Sequence, residues 1–294
     1  MFFHKITIAG VGLLGGSLGL AIKRRRLARV VDGLVRRTAS ISECERLGVV
    51  DRATRDAQRA AEGADLIILC ASVARMRELA EAMRPAFKPG VIVTDVGSVK
   101  GPVVEELEPI VSAGGGHFVG SHPMAGAEKA GPGSANAELF EQATCVVTPT
   151  SRSSAVAVKR TEDFWRAVGG VVMRMAPEAH DDLVSRSSHL PHVVAAGLAN
   201  YVLSPMHPKQ QARLCATGFR DATRIASGLP EMWRDIVLAN RRNLARVLGV
   251  FIADLEELKH ALVEGDVKTI EEFLVTAKRR RDEWLRHPVS PSPE

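Results

Sequence analysis

The run Gly10-Val11-Gly12-Leu13-Leu14-Gly15 directly follows the apolar stretch Ile6-Thr7-Ile8-Ala9. G-x-G-x-x-G is a weak signal alone. After a strand and at the start of a helix it reads as a dinucleotide-binding turn. Gly10 permits the tight turn, Gly12 lets the backbone approach a pyrophosphate, and Gly15 allows the helix to pack closely on the strand. The free amides at the helix start, those of Leu13 and Leu14 among them, and the helix dipole favour phosphate. A chain with this opening is constrained to begin as an α/β sheet with ligands at the carboxyl ends of its strands.

The residue that reads the ribose falls about 20 residues further on. Counting from Gly15 gives Val35, followed by Arg36-Arg37-Thr38. An acid there would hold the ribose hydroxyls of NAD. Valine and two arginines instead favour the extra phosphate of NADP over NAD. Asp32 is the rival if the strand ends earlier, and Arg36 and Arg37 are then simply exposed. Ser72, just past the run Leu66–Ala71, is assigned to the cofactor as well.

Strand-like runs alternate with helical ones through the first half. Strands are expected at Lys5–Ala9, Arg29–Val35, Leu66–Ala71, Val91–Thr94, His117–Gly120, Thr144–Thr148 and Val171–Met175. Helices are expected at Leu13–Arg26 and Ser151–Val168. Alternation of this kind implies a parallel sheet with right-handed crossovers. After Pro177 the apolar residues recur three and four apart in Leu183–Leu203, Gln211–Ile225, Met232–Leu262 and Val267–Trp284. The third stretch has no internal proline and reads as one helix of about thirty residues. Helices that long in a small domain usually bury one face on a second copy. The expected architecture is a Rossmann-type domain over residues 1–170 and an all-α dimerisation and substrate domain over 171–294.

Composition narrows the function classes. The chain has 294 residues, 46% hydrophobic and 25% charged, enough for two modest domains with a real core. Its net charge is +5, spread along the chain, and its one tyrosine leaves little for base stacking. Nucleic acid is therefore not the expected partner. The densest basic run, Lys23–Arg26, ends a helix and complements its dipole. The four cysteines form no C-x-x-C pair, and His180, His189 and His192 lack a carboxylate or thiolate set, so no metal site is expected. No apolar run reaches membrane-spanning length, and strand-like sequence starts almost at Met1. Together these predict a cytoplasmic protein without a leader.

The chemistry lies in three later runs. Thr94-Asp95-Val96-Gly97-Ser98-Val99-Lys100 follows a strand, with Ser98 either functional or a helix N-cap. Gly120-Ser121-His122-Pro123-Met124-Ala125-Gly126-Ala127-Glu128 places a histidine between glycines past the next strand. Ser188-His189-Leu190-Pro191-His192, Gly218-Phe219-Arg220-Asp221-Ala222-Thr223-Arg224 and Met232-Trp233-Arg234-Asp235 come much later.

This ordered set resembles the prephenate/arogenate dehydrogenase family of tyrosine biosynthesis, over almost the whole chain. The resemblance implies oxidative decarboxylation of a cyclohexadienyl substrate, prephenate or arogenate, with hydride transfer to NAD(P). It implies that His122 is the catalytic histidine and that Ser98 hydrogen-bonds it and the substrate hydroxyl. The unperturbed pKa of histidine suits a base at neutral pH. Arg224 matches the arginine that grips a substrate carboxylate, for which a guanidinium fork is suited. Arg220 adds to the anion-attracting field, and His192 and Trp233 match residues at the side-chain end of the pocket. His192 tilts the reading to prephenate, since some arogenate-preferring relatives lack it. Glu128 keeps its place in the pattern, while Ala127 stands where many relatives carry threonine. Bland roles for His189, His192 and Trp233 are helix packing or capping. Competing functions are another Rossmann-plus-helical reductase, or a redox sensor that binds cofactor without turnover.

Overall fold

The computed structural model describes residues 3–126 and 131–286. Residues through Asn240 form one compact unit and those from Arg241 a second. The strands are β1 (Phe3–Ala9), β2 (Ala28–Leu34), β3 (Arg52–Thr54), β4 (Leu66–Leu69), β5 (Ile92–Asp95), β6 (His117–Pro123), β7 (Thr144–Thr148) and β8 (Val171–Arg174). They form a single sheet in the order β3-β2-β1-β4-β5-β6-β7-β8. The sheet is mostly parallel, as expected, with one reversal. β3 to β6 run parallel, β7 pairs antiparallel with β6, and β8 follows β7 in parallel. Among the described residues between β6 and β7 there is a 3₁₀ turn (Pro132–Ser134) and no crossover helix, in keeping with the reversal. The three-residue edge strand β3 was not foreseen, because so short a run has no readable alternation.

Helices cover both faces. In the first half they are α1 (Leu13–Arg24), α2 (Ala39–Arg46), α3 (Ala57–Ala61), α4 (Val73–Met83) and α5 (Gly101–Ala113), with α6 (Ala155–Ala167) between β7 and β8. β4, Leu66-Ile67-Ile68-Leu69, is buried along its whole length, as a parallel strand covered on both faces must be. One core layer joins Leu18 and Ile22 of α1 to Phe164 and Trp165 of α6, and the other gathers Met76, Leu107 and Val111. Helix α6 begins later than the expected Ser151, because Ser154 caps it by accepting from the Ala157 amide. The basic run at the end of α1 is tied to acids: Lys23 to Asp51, Arg24 to Glu138 and Arg25 to Glu141, each at 2.7 Å.

The remaining elements of the first unit are helical: α7 (Pro177–Val184), a π-helical turn (Ser185–His189), α8 (Leu190–Val202), α9 (Thr217–Thr223) and α10 (Pro230–Ala239). Two expected long helices are broken. The stretch 211–225 divides into a 3₁₀ turn (Lys209–Leu214), α9 and a second 3₁₀ turn (Arg224–Ser227), with Cys215 and Ala216 extended. None of these pieces buries a residue, so no apolar face holds one continuous helix. The stretch 232–262 is interrupted at Asn240, whose backbone leaves helical geometry at φ −104°, ψ 22°. Its side-chain amide is engaged by the Asp181 carbonyl and His189 instead. The second unit consists of α11 (Arg241–Glu264) packed on α12 (Val267–Arg286).

Close approach of α1 to the chain around it depends on glycine. A Cβ on Gly19 would lie 1.7 Å from the Val49 carbonyl oxygen, and backbone cannot give way as a side-chain tip can. Gly19→Ala is expected to lower the free energy of unfolding by about 1–3 kcal/mol. Urea denaturation checks this, and an unchanged midpoint refutes the packing argument.

Candidate active site

The strand order reverses between β1 and β4, so a crevice opens at their carboxyl ends. The glycine turn follows β1, and Cys70, Ala71 and Ser72 follow β4. Gly10 takes φ +106°, and a Cβ there would lie 2.5 Å from the Cys70 carbonyl oxygen. A Cβ on Gly15 would lie 2.1 Å from the Gly10 oxygen. Gly12 differs: a Cβ on it would meet nothing within 4 Å. The amides of Leu13 and Leu14 precede the first helical bond, Gly16 N–H to the Gly12 carbonyl at 2.8 Å, and so have no intrahelical acceptor. That cradle fits a pyrophosphate. Ser72 stands at the N-cap position of α4, partly exposed.

Beyond β2, Val35 is buried and Arg36, Arg37 and Thr38 are exposed. Neither arginine has an ion-pair partner among the described residues, whereas Thr38 Oγ1 accepts from Arg55 at 3.2 Å. Asp32 lies two residues before the strand end. Its carboxylate is occupied by Lys5 at 2.8 Å and by a two-pronged Arg52 contact at 3.0 Å.

His122 lies near the end of β6, opposite Val146 of β7, and is 7% exposed. Its Nδ1 is 2.8 Å from His180 Nε2, and the rings meet edge to face. His180 Nδ1 is in turn 2.8 Å from Asp181 Oδ1. The Asp181 carboxylate also accepts the Lys100 and Gly101 amides, at 2.7 and 2.8 Å, at the start of α5. Below His122 the Lys100 ammonium is fully buried, pairs with Asp95 and donates to the Ser121 carbonyl at 2.7 Å. Burial lowers the Lys100 pKa while Asp95 opposes the shift. The pKa of His122 is held well below its ordinary 6.5, first by burial, then by His180, Lys100 and His189.

Ser98 is partly exposed in the loop between β5 and α5 and does not cap α5; that role belongs to the Asp181 carboxylate. The expected hydrogen bond from Ser98 to His122 is not formed, and His180 holds the ring instead. The Ser98 backbone faces His189 and favours its protonation, though without hydrogen-bond geometry. His189 is fully buried and accepts at Nδ1 from Asn240 Nδ2 at 3.1 Å. The same Nδ2 donates to the Asp181 carbonyl at 2.8 Å, which fixes the orientation of the amide. Burial is the main reason that the His189 pKa falls to about 4.

On the helical side His192 stacks on Trp233 at 3.4 Å between ring centroids and 10° between planes. A Cβ on Gly228 would lie 2.5 Å from Trp233 Nε1, so a glycine is required beneath the stack. His192 Nδ1 is buried and has no hydrogen-bond partner, and burial lowers the ring's pKa. Arg220 and Arg224 are exposed and line a concavity of about 390 Å³ with Phe219, Thr223 and Ser227. His122 and Ser98 do not line it. Ala127 and Glu128 lie outside the described residues.

A nucleotide cradle after β1 and a buried histidine near the end of β6 in the same sheet describe a dehydrogenase, and comparison with known proteins gives the family. The family model described as prephenate dehydrogenase, nucleotide-binding domain, matches residues 18–174. The prephenate dehydrogenase dimerization-domain model matches residues 176–276. The cyclohexadienyl dehydrogenase of Zymomonas mobilis is 38% identical, over 98% of this chain and 99% of that one. The chain belongs to the prephenate dehydrogenase family. A solved prephenate dehydrogenase from Aquifex aeolicus, in complex with hydroxyphenyl propionate and NAD+, has a TM-score of 0.89. It is 34% identical, over 95% of this chain and 98% of that chain. The arogenate dehydrogenase of Synechocystis has a TM-score of 0.81 at 28% identity, over 95% and 99% of the two chains.

In this prephenate dehydrogenase family member the sequence reading missed four residues around the histidine: His180, Asp181, Lys100 and Asn240. The adjacent pair His180-Asp181 within α7 was the available signal; only a metal role was weighed for His180, and none for Asp181. Two of the three depressed histidines, His122 and His189, couple the site to stability most directly. In the unfolded chain each takes up a proton near pH 6.5, while the folded chain resists this, His189 down to about 4. The unfolded state then binds more protons, so stability is full above pH 6.5 and falls as pH drops below it. The urea midpoint is expected to decline between pH 6.5 and 5, less steeply in His189→Gln. Identical slopes for the two proteins contradict the assignment.

Proposed function

We propose that the chain catalyses the NAD(P)-dependent oxidative decarboxylation of prephenate to 4-hydroxyphenylpyruvate in tyrosine biosynthesis, with arogenate as the second candidate substrate. One observation carries the assignment. A buried histidine, held neutral below pH 6.5, stands at a strand end in the sheet that bears the dinucleotide cradle. A general base must be unprotonated at working pH and within reach of the proton it removes.

Gly10, Gly12, Gly15 and the amides of Leu13 and Leu14 hold the pyrophosphate, with Ser72 on the opposite wall. Arg36, Arg37 and Thr38 receive the 2′-phosphate of NADP. The unpaired arginines and the neutralised Asp32 support NADP over NAD. When bound, the nicotinamide supplies the acceptor for the hydride from the hydroxyl-bearing ring carbon. His122 takes the hydroxyl proton at Nε2 as the carbonyl develops, and Ser98 orients that hydroxyl. Arg224 grips a carboxylate and Arg220 adds positive field. The unpaired Nδ1 of His192, on the Trp233 stack, meets the side-chain end of the substrate. The family resemblance assigns Glu128, which lies outside the described residues, to the substrate as well. Loss of carbon dioxide makes the ring aromatic, which drives the reaction forward.

The functional division is a cofactor domain over 1–170, its sheet completed by β8 (Val171–Arg174), and a helical substrate and dimerisation domain over the rest of 171–294. Exposed apolar side chains on α11 and α12, among them Ile252, Val263, Phe273 and Leu274, support a homodimer formed through these helices. Four free cysteines suit the cytoplasm.

The test follows absorbance at 340 nm with prephenate and arogenate, each with NAD and NADP. Reduced cofactor with 4-hydroxyphenylpyruvate is the expected product pair, fastest with prephenate and NADP. No turnover in any combination rejects the assignment. His122→Asn is expected to lower kcat by about 10²–10⁴-fold while cofactor Kd stays unchanged. Arg224→Ala is expected to raise KM most, and a normal KM removes its role. Arg36→Ala should raise KM for NADP and leave that for NAD unchanged; an unaltered NADP value counts against the phosphate assignment.

A further inference from the structure

The hydrogen bonds behind His122 fix where its proton resides. Asp181 Oδ1 accepts the Lys100 amide at 2.7 Å, and Oδ2 accepts the Gly101 amide at 2.8 Å. Backbone amides only donate, so the carboxylate is an acceptor on both oxygens. Its third contact, His180 Nδ1 at 2.8 Å, must therefore be an N–H. A neutral imidazole has one N–H, so His180 Nε2 bears a lone pair and accepts from His122 Nδ1 at 2.8 Å. The lone pair of His122 is then left on Nε2. With both rings neutral, no other placement of the two protons satisfies both bonds.

We propose that His180 and Asp181 are positioning residues for the base, holding His122 as its Nδ1–H tautomer and accepting a proton from it during turnover. This rests on the reading of His122 as the base. In the step, the substrate O–H bond breaks as its proton bonds to His122 Nε2. The His122 Nδ1–H bond breaks as that proton bonds to His180 Nε2. His180 becomes an imidazolium beside the Asp181 carboxylate, and His122 is neutral again. After product leaves, the proton returns to His122 and departs from Nε2 to water. The arrangement answers a difficulty at this site. His122 faces burial, the Lys100 ammonium and His189, all of which oppose a positive charge on it. Moving the charge one ring deeper places it against a carboxylate that is 4% exposed and bound at the first turn of α5. A purely structural His180 would fill space and hold α7 to β6, and its loss would touch stability alone.

The experiment uses the full chain labelled with ¹⁵N-histidine, read by long-range proton–nitrogen correlation. In the wild type His122 should show a protonated Nδ1 and an unprotonated Nε2; the opposite pattern overturns the proposal. His180→Leu should move His122 toward the Nε2–H form and lower kcat by about 10²–10⁴-fold, with KM and cofactor Kd within about threefold. His180→Gln can accept from Nδ1–H through its carbonyl oxygen but cannot take the proton. It should restore the tautomer while kcat stays below wild type. Wild-type kcat in His180→Leu overturns the proposal, as does an unchanged tautomer in that variant. If His180→Leu does not fold, the wild-type spectrum and the near-isosteric glutamine variant decide. If the wild type turns over neither prephenate nor arogenate, the functional reading fails, and the spectra still give the tautomer independently.

Discussion

Three parts of the molecule meet at the carboxylate of Asp181. It accepts two amides at the first turn of α5 and the ring N–H of His180, while its own carbonyl accepts from Asn240. Removing the carboxylate would leave two buried amides unpaired, at about 1–3 kcal/mol each, and the His180 ring without an orienting partner. The same side chain therefore anchors the helix that follows β5 and sets the protons behind His122. A capping interaction and a catalytic geometry are here one interaction. This explains why α5 needs no serine or threonine cap of its own, although Ser98 is three residues before its start.

What could be read from the sequence was what short stretches of chain determine. The glycine turn, the strands β1, β2 and β7, and the helix α1 depend on neighbours within about ten residues, and their patterns survive in the sequence. His122 was legible because its own loop is distinctive. His180 was not, because it reaches His122 across 58 positions, and neither residue's local pattern encodes the other. The same limit applies to Asn240, whose role comes from Asp181 and His189, 59 and 51 positions away. A polar residue in an otherwise periodic helical run looks like a tolerated surface position. Here it is 3% exposed and ends the helix, because its amide serves two distant acceptors.

Periodicity also overstated order where burial was missing. Residues 211–225 carry apolar groups at helical spacing, yet none is buried and the segment divides into two 3₁₀ turns flanking the short helix α9. Short helices in water are marginal without a packed face. The arginines assigned to the substrate, Arg220 and Arg224, stand on this segment. Their setting is a surface concavity, unlike that of His122, which is clamped from several sides. The groups proposed for binding thus stand on an exposed segment, and the proposed base in a buried one.

The buried Lys100–Asp95 pair shows why polar groups are retained under the site. An isolated buried ammonium would be costly, and even a pair often gains little over apolar side chains of equal volume. Apolar replacements, however, could not do what these two groups do to the backbone. Asp95 Oδ1 accepts the Ser121 amide at 3.0 Å, and Lys100 Nζ donates to the Ser121 carbonyl at 2.7 Å. Asp95 also accepts the Gly97 amide at 2.8 Å, fixing the loop that carries Ser98. Both peptide groups of Ser121 are thus gripped one residue before His122. With His180 holding the ring, the proposed base is located by its backbone and by its Nδ1 at once.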